Sequence, residues 1–181
     1  MPSLVGSEMC IRDRYYESAT NKDIFHLADD IERLPKTRIK FPFGVRLNYY
    51  LNEFIVLRSY YRKYSDDWGI DSNTVQFELP IKFNLKWKLT PSFRYYDQTA
   101  TDYFAPYNQH LSTQEFYTSD YDLSAFSSRQ IGGSLVYTDV FSKYKLGKLS
   151  LKMISLRYQN YERSDGLSAF SVSTGFSFVI D

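Results

Sequence analysis

The sequence predicts an all-β protein: an antiparallel, up-and-down transmembrane β-barrel, of which this chain forms a C-terminal fragment of about seven strands. Long stretches alternate between apolar and polar residues, and a strand points successive side chains to opposite faces. Tyr and Trp gather near the ends of these stretches, as in the aromatic girdles of membrane barrels. Short and longer connections also alternate along the chain, as periplasmic turns and extracellular loops do.

The composition suits one β-rich domain and argues against other classes of protein. The chain has 181 residues, and aromatic residues make up 18% of them, with 17 Tyr and 14 Phe. A net charge of +1 gives no basic footprint for nucleic acid. No stretch approaches the ~20 apolar residues of a transmembrane helix, whereas a barrel strand hides its apolar face in alternate positions.

The first 36 residues are predicted to lie outside the strands. Residues 9–14 (MCIRDR) resemble the translation of an adapter used to prepare sequencing libraries, so residues 1–14 are expected to be an artefact. The native N-terminus and its signal peptide would then be missing, and Cys10, the only cysteine, would not belong to the protein. Residues 15–36 are expected to form a loop, with a short helical turn over 23–34.

Seven stretches of alternation are predicted to be strands. They span 37–51, 54–64, 75–85, 87–98, 127–138, 149–161 and 169–180. In the first strand, apolar residues occupy every odd position from Ile39 onward. In the second strand, Leu57 and Arg58 lie on opposite faces. The third is the most regular, because each odd position is apolar and each even position is polar, charged or proline.

The last four strands alternate with local irregularities. Phe93 faces away from Arg94 in the fourth strand, and Phe and Val alternate with Ser in the seventh. Residues 132–133, both Gly, predict a kink or bulge in the fifth strand. The alternation slips near 153–154 in the sixth, as a bulge would cause.

The predicted connections place the strand ends in a membrane. Short turns follow the first and third strands, and longer loops follow the second, fourth and sixth, with the longest over 99–122. On the outer-membrane rule, the final strand ends on the periplasmic side.

The free-energy cost of a charged side chain in lipid assigns the two faces of the predicted barrel. A Lys or Arg that faces lipid at the midplane costs about 2–4 kcal/mol, so the basic residues should face the lumen and the apolar residues the lipid. The possible lumen-lining residues are Arg38, Lys40, Arg46, Arg58, Arg62, Lys82 and Arg94. Such residues favour anions in pores. The alternative is that they pair with Glu78 or with carboxylates on missing strands and stabilise a filled interior.

No motif for catalysis, a cofactor or a metal is visible, so the sequence predicts no such residues and no enzyme. His26 and His110 lie in predicted loops and are expected to be solvated. The acidic pairs at 66–67 and at 120 and 122 are expected to form turn hydrogen bonds rather than a cation site.

Three segments carry a resemblance to a known family. Residues 57–70 (LRSYYRKYSDDWGI), 89–98 (LTPSFRYYDQ) and 119–126 (SDYDLSAF) resemble a bacterial outer-membrane β-barrel family catalogued as domain of unknown function 3570. The resemblance covers roughly residue 34 to the C-terminus and implies an outer-membrane barrel with no established activity. One departure is the end of the chain, where Phe178 is the last aromatic residue, although many such barrels end on one.

These observations favour an integral barrel in the outer membrane of a Gram-negative bacterium, either a porin-like passive pore with a basic lumen face or a structural barrel. Its expected partners are outer-membrane lipid and the barrel-assembly machinery, and no nucleic acid or cofactor. The chain does not specify a solute. Two alternatives stay open: a barrel enzyme that acts at the extracellular loops, and a soluble β-barrel or sandwich that binds a ligand.

Overall fold

A computed structural model describes residues 13–17, 25–30, 32–106, 109–111, 113–139, 145–146 and 149–180. These residues form eleven strands and one short 3₁₀ helix, Tyr121–Leu123. The strands are β1 (Asp13–Glu17), β2 (Phe25–Asp30), β3 (Lys40–Tyr50), β4 (Val56–Asp66), β5 (Asp71–Glu78), β6 (Ile81–Lys82), β7 (Trp87–Gln98), β8 (Phe126–Thr138), β9 (Lys145–Leu146), β10 (Leu149–Arg163) and β11 (Ser168–Ile180). No helix within the described ranges is long and apolar enough to cross a membrane.

Nine of these strands form one sheet in the order β11-β10-β8-β7-β5-β4-β3, with β6 paired to β7 and β9 paired to β10. The prediction of an all-β, antiparallel, up-and-down fold is confirmed, and β5 with β6 makes up the third predicted strand. Pro80 separates β5 from β6, and its carbonyl accepts a hydrogen bond from the N–H of Val56 at 3.1 Å. Within the described residues the sheet is open, with β3 and β11 at its edges.

The bulge predicted in the sixth strand is confirmed one residue earlier. The register between β10 and β11 shifts between Leu151 and Met153, so that Lys152 is the extra residue. At Gly132 and Gly133 no bulge is found toward β10, because the pairing of β8 with β10 passes through both without a shift. The alternative of a kink stays a prediction. A Cβ at Gly132 would lie 2.5 Å from the carbonyl oxygen of Tyr158, so close approach of the strands explains this glycine.

The predicted pattern of connections is confirmed after the first, third and fourth predicted strands, and it is wrong after the second and the sixth. Residues 67–70 and 164–167 are tight turns, and the long connection at this end of the sheet lies between β7 and β8. Both turns contain a glycine with positive φ, Gly69 at 86° and Gly166 at 96°, which other residues rarely adopt. Asp66 and Asp165 close the two turns by accepting backbone N–H bonds, so the strands run further than their alternation indicates.

The N-terminal region also differs from prediction. Residues 15–36 were expected to form a loop, and they contain most of β1 and all of β2, which pair antiparallel. The helical turn over 23–34 is wrong, because Phe25–Asp30 is the second strand of this pair; its sequence fits a period of two as well as a helical period. Residues 1–12 of the adapter-like stretch lie outside the described residues.

The chain divides into two compact units. The loop unit comprises Met1–Pro42, Tyr64–Ser72 and Gln98–Phe126, and the sheet unit comprises Phe43–Lys63, Asn73–Asp97 and Ser127–Asp181.

The loop unit buries two hydrophobic side chains, Ile70 and Tyr117, among its described residues. Polar groups there are paired: the Thr118 hydroxyl donates to Glu32 Oε2 at 2.7 Å, and the Thr118 carbonyl oxygen lies 2.9 Å from His110 Nε2. Burial with hydrogen-bond partners is how polar side chains are accommodated in a folded interior.

The sheet unit has the opposite distribution. Apart from Pro80, no hydrophobic residue described in this unit is buried. On β5, Thr74 is 2% exposed, whereas Phe77 on the other face is 43% exposed. The apolar face of this sheet is therefore open and the polar face is the more enclosed one. Apolar-face side chains exposed by more than a third include Phe43, Val45, Leu47, Phe77, Phe93, Ile131, Leu156, Phe170, Val172, Phe176 and Phe178.

Candidate functional site

The polar face of the sheet unit contains a cavity of about 410 Å³, called here the basic cavity. Five strands line it: β4, β5, β7, β8 and β10. The lining residues are Arg58, Gln76, Glu78, Lys88, Thr90, Ser92, Phe93, Arg94, Gln130, Gly133, Ser134, Arg157 and Gln159. Eleven of these thirteen residues carry polar or charged side chains, which makes the cavity hydrophilic.

The strand period places these side chains together. On β4, β5 and β7 the lining polar residues all have even numbers, and a strand sends every second side chain to the same face. On β10 the bulge at Lys152 changes the phase, so that odd-numbered Arg157 and Gln159 reach the cavity.

Positive charge dominates the basic cavity. It is lined by four cations, on Arg58, Lys88, Arg94 and Arg157, and by one carboxylate, on Glu78. Glu78 Oε2 lies 3.7 Å from Arg58 Nη1, and both side chains are partly exposed, so this pair contributes little stability. Glu78 Oε1 accepts a 3.0 Å hydrogen bond from Gln76.

Three of the seven predicted lumen-lining residues lie at cavities on the polar face. Arg58 and Arg94 line the basic cavity. Arg46 and Arg58 line a second cavity of about 250 Å³, where the Arg46 guanidinium carbon lies 5.4 Å from the ring centre of Tyr60.

The other four residues, Arg38, Lys40, Arg62 and Lys82, line neither cavity. Arg38 belongs to the loop unit, where it binds Asp66. Lys82 lies directly across from Lys88 in the pairing of β6 with β7. That the seven residues line a lumen stays a prediction.

Sequence reasoning left Arg157 and the neutral polar side chains out of the predicted site. Arg157 was not predicted because the phase of β10 changes at the bulge. Beyond it, Leu156 and Tyr158 lie on the apolar face, and Arg157, between them, lies on the polar face. Lys88 is not one of the seven predicted residues, although its even-numbered position on β7 assigns it to the same face as Arg94.

Comparison with protein-family models gives one match, "Protein of unknown function (DUF3570)", over residues 11–167. The chain belongs to this family. The match covers most of the chain, includes every strand that lines the basic cavity and ends before β11. The resemblance to domain of unknown function 3570 is thereby confirmed, whereas an outer-membrane location of the family stays a prediction. The family description assigns no activity to any residue. No curated protein and no solved structure matches the chain.

In the loop unit, Asp66 is the centre of a hydrogen-bonded cluster. Its side chain is fully buried, and its Oδ2 accepts from Arg38 Nε at 2.9 Å and from the Tyr64 hydroxyl at 2.7 Å. Its Oδ1 accepts from the backbone N–H of Trp68 at 3.0 Å and of Ile70 at 3.1 Å. The expected turn role of Asp66 is confirmed, because both oxygens are used by donors of the protein.

These contacts shift two pKa values. Burial would raise the pKa of Asp66, but hydrogen bonds from Tyr64, Arg38 and two backbone N–H groups together hold it below the ordinary 3.8. Burial, followed by the hydrogen bond to Asp66, raises the pKa of Tyr64 to about 12. The Arg38 guanidinium also lies 4.5 Å from the Trp68 ring centre, a cation–π contact.

The remaining candidates in the loops have structural roles. Asp120 accepts from the N–H of Asp122 at 2.9 Å and caps the 3₁₀ helix, as expected of a turn residue. The expectation that His110 is solvated is wrong, because its side chain is fully buried, with Gln114 Oε1 3.0 Å from Nδ1. The His26 side chain, which was also expected to be solvated, lies outside the part of the molecule that the structure describes. Among the described residues, no cluster of His, Cys, Asp and Glu could hold a metal.

Proposed function

We propose that this chain forms part of the wall of an integral β-barrel in the outer membrane of a Gram-negative bacterium. The apolar face of its sheet lies against lipid, and the polar face lies toward a water-filled interior. The spanning segments are the strand residues of the sheet unit, and outer-membrane lipid and the barrel-assembly machinery are its partners. The barrel would act as a passive pore. In lipid both edge strands, β3 and β11, would have to be paired, because an unpaired backbone group in hydrocarbon costs several kcal/mol.

The observation that carries this proposal is the inverted burial of the sheet unit. A water-soluble sheet buries its apolar face against a core, and contiguous exposed apolar patches larger than a few hundred Å² mark interaction or membrane surfaces. Here Phe77 is exposed, while Thr74 of the same strand is buried. Lipid is the solvent in which this arrangement is favourable.

Aromatic residues at one end of the apolar face support the same assignment. The rings of Trp87 and Tyr137 lie 4.9 Å apart, and they border a shallow apolar hollow with Leu135, Leu151, Ile154 and Leu156. Trp and Tyr prefer the level of the lipid headgroups, where a ring can be partly apolar and partly hydrated.

The two tryptophans of the chain allow a direct test. Trp87 lies in the sheet unit and Trp68 in the loop unit. In the Trp68→Phe variant, folded into vesicles of dibrominated phosphatidylcholine, we expect bromine to quench Trp87, with carbons near the headgroup more effective than deep ones. The Trp87→Phe variant is the matched control, because Trp68 should keep its fluorescence. If Trp87 fluoresces equally in brominated and unbrominated lipid, the proposal is wrong.

A further inference from the structure

We infer that the basic cavity is a binding site for a small organic oxyanion that carries at least two negative charges and one or more hydroxyl groups, of the hydroxy-polycarboxylate class. This inference rests on the proposed function, which places the cavity in a water-filled interior. It adds a ligand class that the fold and the family description do not supply.

The first support is uncompensated charge. Lys88, Arg94 and Arg157 line the cavity, and none of the three forms an ion pair with a carboxylate of the described residues. Elsewhere in the sheet unit, Arg129 and Arg163 each lie within 2.8 Å of a carboxylate oxygen. The alternative in which the basic residues are neutralised by Glu78 therefore holds, loosely, for Arg58 alone.

A second support is the position of Lys82, which lies outside the lining and directly across from Lys88 of the lining. Lys82 and Lys88 are direct partners across β6 and β7. Like charges directly opposite each other on neighbouring strands are destabilising. An anion held in the basic cavity next to Lys88 would offset this repulsion.

The neutral lining determines the kind of anion. Gln76, Gln130 and Gln159 each offer an amide that can donate and accept, and Thr90, Ser92 and Ser134 offer hydroxyls. Phe93 is the sole aromatic residue of the lining and its side chain lies on the apolar face, so the cavity has little surface on which a sugar ring or base could stack. Paired arginines suit carboxylates, which accept two parallel hydrogen bonds from one guanidinium. The cavity volume of about 410 Å³ lies in the range of small-molecule sites.

Calorimetric titration of the chain in zwitterionic detergent micelles at low ionic strength tests the inference, with citrate as the probe and glucose as the uncharged control. Low salt is needed because exposed charges are screened within about 10 Å at 0.1 M. We expect citrate to bind and glucose not to bind. Each of Arg94→Gln and Arg157→Gln should weaken citrate binding about tenfold, the effect of losing about 1.4 kcal/mol.

Two further variants separate a site from general attraction to a basic protein. Arg129→Gln removes one charge from an exposed pair with Glu162 outside the cavity lining and should leave citrate affinity unchanged. Glu78→Gln removes the single carboxylate of the lining and should strengthen citrate binding.

The inference is overturned if citrate gives no binding heat, if glucose binds equally well, or if Arg129→Gln weakens citrate binding as much as Arg94→Gln does. Quenching of Trp87 by brominated lipid is independent of these titrations. Quenching without citrate binding would remove the anion site and leave the membrane proposal intact, whereas absence of quenching would count against the membrane proposal itself.

Discussion

The loop unit and the sheet unit follow opposite rules of burial. In the loop unit Ile70 and Tyr117 are enclosed, at 4% and 7% exposure, and the buried carboxylate of Asp66 is held by Arg38. In the sheet unit the apolar side chains are exposed and the enclosed face is polar. The described residues of the two units thus enclose opposite kinds of side chain.

The difference shows what stabilises each region. Among its described residues the loop unit buries two hydrophobic side chains, so we expect hydrogen bonds and the Arg38–Asp66 pair to contribute much of its cohesion. The sheet unit is stabilised by the backbone hydrogen bonds between its strands and by the contacts that its apolar face makes with its surroundings. Substitutions that exchange polar and apolar character should therefore have different consequences in the two units.

Asp66→Ala should cause the largest loss, about 3–5 kcal/mol of the free energy of unfolding of the loop unit, because it leaves Arg38 without its carboxylate and several donors unpaired. Asp67→Ala is the matched control, since Asp67 Oδ1 accepts one bond, from the N–H of Ile39, and should cost about 1 kcal/mol. Urea unfolding in micelles, followed by Trp68 fluorescence in a Trp87→Phe background, measures both. Equal losses would show that the cluster around Asp66 does not hold the loop unit together.

Phe77→Arg tests the inverted burial of the sheet unit. A cation on the lipid face costs about 2–4 kcal/mol near the midplane, so we expect Phe77→Arg to reduce the folded fraction in lipid vesicles. Gln76→Arg, one residue away, adds the same charge to the polar face and should fold almost normally. Heat-modifiable gel mobility measures the folded fraction. Equal folding yields would contradict the assignment of faces.

Gly69→Ala compares the tight turns of the two units. Both Gly69 and Gly166 have positive φ, which costs a residue with a Cβ about 1–3 kcal/mol. A Cβ at Gly69 would also lie 2.4 Å from Asp102 Oδ1, whereas nothing lies within 4 Å at Gly166. We therefore expect Gly69→Ala to lower stability more than Gly166→Ala in urea titrations. The reverse order would mean that Asp102 moves aside without loss.

Local periodicity predicted most of the sheet. A period of two depends on the strand alone, so the alternation of residues such as Gln76 and Phe77 gave both the strand positions and the grouping of Arg58 with Arg94 on one face. Arg157 escaped because one extra residue at Lys152 reverses the phase of everything after it.

Contacts between distant segments were beyond sequence reasoning. Arg38 was grouped with the lumen-lining residues by its charge, and its actual partner, Asp66, lies 28 residues away. The burial of His110 likewise depends on a turn that brings back the carbonyl of Thr118. The sequence predicted both tight turns to be longer loops because residues 66–67 and 164–165 are polar. In the structure, the carboxylates of Asp66 and Asp165 accept hydrogen bonds from backbone N–H groups and close the turns.

The pH dependence of the loop unit is the finest test of the comparison. The folded-state pKa of Asp66 is below its ordinary 3.8, so its stabilising contribution is present above that value and is lost as pH falls through the folded pKa. The pKa of Tyr64 is raised to about 12, so its contribution is complete below pH 10.0 and is lost as pH rises through about 12.

Trp68 fluorescence in the Trp87→Phe background should therefore show an acid and an alkaline limb. Asp66→Asn should remove the acid limb and Tyr64→Phe the alkaline one, because each takes away the group that titrates. Trp87, followed in the Trp68→Phe background, reports on the sheet unit and should not track either limb. If the acid limb persists in Asp66→Asn, the carboxylate is not its origin, and the loop unit would have to be held by contacts other than this cluster.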